Sequence, residues 1–373
     1  LFFSVIASLL AYLGTPNNQL VKEYKLFQIL LVIWLAWFVS FGGGAMTDHL
    51  SYKLLYIELE NSNLFSIIEL IKGHFGNVTV RRISSYELGY VFLNILFNKL
   101  GFNYIGFLFI IAFITNYLLV KFIYRYDFPV FSVLILIGAT HFSQQANLVR
   151  QMMAASIFLY ATIYIENKNF RKYALSLLIA STIHMSAIAL IIFYFIIDKK
   201  IPLIVLVITW IISIYINYNR EPISFISSID LGYYGKMKLT GRGIEEARIS
   251  YFKNGLLLLL LLFQNNKEAF NKKYNIVFNF FFIGVLLNNL AVLGFAVYRF
   301  SIYFVIFEII IITKLPGYIA TSSLSNTMKS KSLLYSSARI LLILHYSRFI
   351  AMGIFSDTKV ALGAKMYSLM DLF

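Results

Sequence analysis

The stretch QQANLVRQMMAASIFLYATIY, from Gln144 to Tyr164, puts Arg150 at the head of an apolar run. A guanidinium stays charged at any working pH and is costly beside hydrocarbon. It therefore either sits at the water boundary, its stem snorkelling to headgroups, or holds something negative. Gln144, Gln145 and Asn147 precede it, and amides suit a polar pocket better than a lipid-facing helix end. An arginine fork matches phosphate oxygens. A second arginine, Arg299, stands in LGFAVYRFSIYFVIFE with Tyr303 four residues on. It reads as a hairpin corner or as the second charge a pyrophosphate needs.

Other groups offer acid–base chemistry. Glu87, Tyr90 and Asn94 share a helical face at i, i+3 and i+7. Glu87 opens that helix, where the dipole favours a negative charge; the alternative role is a general base or an acceptor for a sugar hydroxyl. Asp48, Tyr52 and Tyr56 recur every four residues as a polar stripe. That stripe is either a solvated face or a carboxylate and phenols lining a sugar cleft. His184 lies in LLIASTIHMSAIALII among Ser181, Thr182 and Ser186. It reads as a polar notch or a break in a membrane helix, with phosphate ligation, proton shuttling and a helix–helix hydrogen bond all open. Arg81, Arg82, Arg242 and Arg248 are loop arginines and weaker candidates, since a loop charge is usually solvated. Gly241–Gly243 (GRG) lacks the context of a phosphate loop, and Asn77–Thr79 (NVT) is a common tripeptide.

The elements that must position these groups are membrane helices. Of 373 residues, 60% are hydrophobic and only 13% charged, with mean hydropathy +0.76. One water-facing core cannot hide that much apolar surface. The apolar runs are continuous, which indicates spanning helices rather than a barrel. About ten to twelve are expected, several shorter than a straight span and so tilted, broken or re-entrant. The chain opens at Leu1 inside an apolar run, which reads as a shortened first helix and not a cleaved signal. The charge of +15 fits basic loops facing the cytoplasm and sites for anionic lipid or phosphate, not nucleic acid. There is no cysteine, so thiolate chemistry is excluded. No His-x-x-x-His or Asp-x-Asp pair suggests a metal cage.

Two connections are long, residues 42–87 and 219–254, and connections of that length are usually functional. The whole chain, 1–373, reads as a single transmembrane domain. Placing the short basic connections Val21–Lys25, Tyr124–Asp127 and Asn167–Tyr173 inside puts the first long loop outside. If the run Ala174–Ile197 bends near His184, the second long loop falls outside too.

Taken in order, TDHLSYKLLY, YELGYVFLNILFNKLG, NLVRQMMA, IHMSA and YRFSIYF resemble the Wzy/EpsG-type family of bacterial polysaccharide polymerases. The similarity runs mainly from Asp48 to Ser186 and is thinner at Arg299. Leu88 stands where that family often has proline. The resemblance implies a GT-C-like bundle in the bacterial inner membrane, with its site facing the periplasm or exterior. It implies transfer of a growing glycan from undecaprenyl pyrophosphate onto the next lipid-linked repeat, without metal or other cofactor. The partners are then lipid-linked oligosaccharides, membrane lipids and, where chain length is set externally, a chain-length regulator. Arg150 and then Arg299 would take the leaving-group charge. Glu87, Asp48 and His184 compete as base. Tyr52, Tyr90 and Tyr303 would pack on sugars, with Asn147 and Arg248 as further substrate contacts. An O-antigen ligase would share fold and arginines and differ in acceptor. A flippase would show short loops and an inverted repeat, against which the two long loops count.

Overall fold

A computed structural model describes residues 2–16, 24–42, 49–60, 86–126, 129–138, 141–219, 250–263 and 272–321, with residues 62 and 336 alone. Every regular element among the described residues is helical, as expected of an all-α polytopic membrane protein. Three helices are long and apolar enough to cross a membrane: Tyr24–Phe41, Tyr104–Ile123 and Lys272–Leu293. A bent pair, Ala296–Val305 with Glu308–Pro316, turns by 44° and would make a fourth. The described residues fall into two compact units, one running to Ile191 and the other from Ile192.

The first unit holds α1 (Phe2–Leu13), α2 (Tyr24–Gly42), α3 (His49–Glu58), α4 (Leu88–Lys99), α5 (Tyr104–Ile123), α6 (Pro129–Gly138), α7 (His141–Asn147), α8 (Val149–Glu166) and α9 (Phe170–Ile183). Asparagine caps start two of these helices. Asn103 accepts from the Gly106 N–H at 2.8 Å, and Asn169 accepts from the Lys172 N–H at 3.1 Å. Both satisfy amides that a helix start would leave orphaned. Helix α5 packs against α2 and α8, and α8 packs against α9. Tyr52, Tyr90, Phe107, Met153 and Ile183 meet in one buried cluster, so α3, α4, α5, α8 and α9 share a core. A buried, reciprocal amide pair, Asn116 with Gln145 at 2.9 and 3.2 Å, ties α5 to α7. One of the amides that suggested a polar pocket ahead of Arg150 is thus spent on packing. At the far end of α8, Arg125 beside α5 pairs with Glu166 and donates to Thr162 Oγ1 at 3.2 Å.

The apolar run expected to break near His184 does break there. Helix α9 ends at Ile183, His184 is extended (φ −150, ψ 108), and a 3-10 helix runs from Met185 to Phe195. Tyr173 donates to the Leu190 carbonyl at 2.8 Å. On one straight helix, residues that far apart in sequence would stand roughly 25 Å apart, beyond a phenol's reach, so the two arms fold back. Leu175, Leu178 and Ile179 on α9 and Met185 and Ile188 beyond it are exposed. In water such a face would aggregate; in lipid it is a solvated surface.

The second unit holds α10 (Leu203–Asn219), α11 (Tyr251–Phe263), α12 (Lys272–Asn289), a 3-10 turn (Leu290–Leu293), α13 (Phe295–Val305) and α14 (Glu308–Thr321). A Cβ on Gly284 would lie 2.8 Å from the backbone of Phe304 and Val305, so only glycine lets α12 and α13 approach this closely. Asn289 donates to Ser213 Oγ at 3.0 Å and exchanges hydrogen bonds with Asn254 at 2.9 Å. Asn217 donates to the Asn289 carbonyl at 2.6 Å. This buried knot joins α10, α11 and α12, where hydrocarbon offers polar groups no other partner. The described parts of the two long connections include α3, the residues just before α4, and the residues that enter α11.

Candidate functional site

Two segments of the first unit converge on one carboxylate that stands at the head of a third. Glu87 occupies the N-cap position of α4 with extended backbone (φ −68, ψ 142), but its side chain makes no capping bond. It turns instead toward α8 and the α9 break. Arg150 Nη1 donates to Glu87 Oε2. His184 Nδ1 lies 3.2 Å from Oε1, and the Met185 backbone N–H donates to the same oxygen at 3.0 Å. The approach depends on Gly89. A Cβ there would sit 2.3 Å from Thr182 Oγ1 and 2.7 Å from the Thr182 carbonyl, so any other residue would push α4 off α9.

Aromatic rings surround the guanidinium. Arg150 Cζ lies 4.6 Å from the Tyr86 ring centroid and 5.8 Å from those of Tyr52 and Tyr90. Such contacts gain strength when the cation is partly desolvated. The Tyr52 and Tyr90 rings meet edge-on at 5.8 Å, and Tyr86 stacks on Tyr90 at 6.3 Å. Arg150, Glu87 and His184 keep 19%, 18% and 16% of their side-chain surface. The three side chains are therefore mostly buried but not sealed.

Burial alone would raise the Glu87 carboxyl. The His184 hydrogen bond, the Arg150 charge and the Met185 N–H outweigh it and hold the group down to about 2. Glu87 is therefore ionised at any physiological pH and a weak proton acceptor while so held. An ionised carboxylate only accepts hydrogen bonds. Its partner on a neutral His184 must then be Nδ1–H, which leaves the lone pair on Nε2. Glu87 thus fixes the His184 ring with Nε2 free of that contact, and of the two groups Glu87 is the weaker candidate for a base.

The family model for the EpsG family matches residues 25–357, nearly the whole chain. The chain belongs to the EpsG family. Membership carries a polysaccharide-polymerase type of role for this membrane-embedded chain. No curated protein and no solved structure matches it.

Within this EpsG-family chain, Arg150, Glu87, His184, Tyr52 and Tyr90 come together. Asn147 ends α7, three residues before Arg150, and is half-buried. Arg299 and Tyr303 lie one turn apart on α13 of the second unit, Arg299 half-buried and Tyr303 fully buried. Asp48 and Arg248 lie outside the described residues, as do Arg81, Arg82 and Arg242. Tyr90 is fully buried and Tyr52 is 5% exposed. In this conformation these rings support Arg150 and, like Tyr303, present no open face to a sugar. Tyr86 keeps part of its surface and lies nearest the guanidinium, yet sequence reasoning passed over it. Its signal was there: Tyr86 and Tyr90 flank Glu87 in YELGY, although Tyr86 lies just before the helix. Gly89 and the Met185 amide were also missed.

Proposed function

We propose that this chain polymerises lipid-linked oligosaccharides in a bacterial inner membrane. It transfers a growing glycan from undecaprenyl pyrophosphate to the next lipid-linked repeat, at an extracytoplasmic site built on Arg150, Glu87 and His184. The supporting observation is the convergence of an arginine, a carboxylate and a histidine from distant segments at one partly open cluster. The chain's family carries a polymerase role. In the reaction, the acceptor hydroxyl oxygen bonds to the anomeric carbon. The bond from that carbon to the phosphate oxygen breaks, and the pyrophosphate leaves with the electron pair. Arg150 meets the charge that develops on the leaving group, a task a guanidinium performs without a metal step. The acceptor's proton passes to His184 Nε2, while Glu87 holds the ring. Exposed apolar residues beside His184, among them Met185 and Ile188, give a prenyl chain lateral access.

The test is a gel of surface polysaccharide from cells lacking the gene, with wild-type or Arg150→Ala copies restored. The expected outcome is a single repeat unit on deletion, a ladder with wild type, and none with Arg150→Ala at equal protein level. A full ladder with Arg150→Ala would remove the arginine from the reaction. Loss of all attached repeats on deletion would point to a ligase or flippase.

A further inference from the structure

Among the donors gathered on Glu87 is an arginine N–H, the kind of donor a phosphate oxygen takes up. In this structure a carboxylate of the chain itself fills that place. Arg150 is also not used to capacity, since its Nε is buried with no hydrogen-bond acceptor. A guanidinium that commits Nη1 to Glu87 while Nε goes unmatched is poised for a better-fitting anion. Three tyrosine rings hold it so that the fork stays in place whichever anion it carries.

We infer that Glu87 is a stand-in anion, occupying on Arg150 the position that a phosphate group of the lipid-linked substrate takes, so that substrate binding exchanges one ion pair for another. The inference rests on the reading above that Arg150 receives the pyrophosphate. The groups facing Glu87 are Arg150 from α8 and His184 with the Met185 amide from the α9 break. Tyr52 from α3, with Tyr86 and Tyr90 from the Glu87 segment, faces Arg150. When phosphate takes Arg150, Glu87 keeps His184 and Met185 but loses its neutralising cation. The Glu87–His184 pair then becomes the stronger proton acceptor. The base is thereby strengthened only when a leaving group is in place.

Purified full-length protein in detergent is titrated calorimetrically with inorganic pyrophosphate and, separately, with undecaprenyl pyrophosphate. Glu87→Gln is expected to bind about tenfold tighter than wild type, within the usual range of coupled sites, and Arg150→Ala to lose binding. A gain with both ligands assigns the exchange to phosphate itself; a gain with the lipid-linked form alone assigns it to the substrate headgroup; either supports the exchange. If Glu87→Gln binds no tighter while Arg150→Ala abolishes binding, the stand-in role is overturned and Arg150 keeps its assignment. If Arg150→Ala binds as wild type does, the underlying reading itself is overturned. Should Glu87→Gln not purify folded, Glu87→Asp decides, because its carboxylate is one methylene too short to bridge Arg150 and His184. The same increase in affinity is expected, and its absence is equally decisive.

Discussion

Arg150 and Glu87 are each expensive alone in this setting, and removing either leaves the other's charge partly buried and unpaired. The folded Glu87 carboxyl stands near 2, against an ordinary value of 4.5. A depressed carboxyl contributes stability that is complete above its unfolded value and is lost as pH falls through its folded one. Wild type should therefore exceed Glu87→Gln in unfolding free energy by on the order of 3 kcal/mol at neutral pH. The gap should close between about pH 4.5 and pH 2. Thermal unfolding of both proteins in detergent across that window checks it, and a gap that did not narrow would contradict the assignment. At this scale the residue types were legible, because charges and a histidine stand out in a hydropathic chain. Their partnership was not, since 63 residues separate Glu87 from Arg150 and 97 separate it from His184. Tyr52 and Tyr90 were legible as a face but not as a buried one. A helical stripe shows which residues point together, not whether lipid, protein or water lies opposite.

At the scale of elements, the break in the run Ala174–Ile197 was readable from the Ser, Thr and His that interrupt it. The 3-10 form of Met185–Phe195 was not, because an apolar string of that length carries no mark that separates it from an α-helix. The polar knot of Asn217, Asn254 and Asn289 was likewise invisible, as each is a single amide in an apolar helix and only packing joins them. Contact between α4 and α9 depends on Gly89. Gly89→Ala should cut the polysaccharide ladder at least tenfold while protein level in the membrane is maintained, because a 1 Å displacement of a reacting group can cost about that or more. Adding Thr182→Ala should not restore it, since the residue-182 carbonyl and the Cβ that alanine keeps both lie 2.7 Å from the new methyl. Restoration by the double substitution would show that only a movable hydroxyl, and not the helix approach, had been disturbed.

For the molecule as a whole, the proposed topology, with the basic short connections inside, would place the first long loop, and with it α3 and the Arg150 cluster, at the exterior. The chain has no cysteine, so a single Lys53→Cys is a specific probe. It should react with an impermeant thiol reagent in intact cells or spheroplasts; labelling only after permeabilisation would invert the topology and move the reaction to the other side. One further property follows from α8. It carries an ion pair near each end, Arg150 with Glu87 and Arg125 with Glu166. Glu166 stands sixteen residues beyond Arg150, roughly 24 Å at helical rise. A helix clamped at both ends to neighbouring segments cannot ratchet along its own axis. The Arg150 cluster therefore keeps a fixed distance from the Arg125–Glu166 pair at the other end of α8.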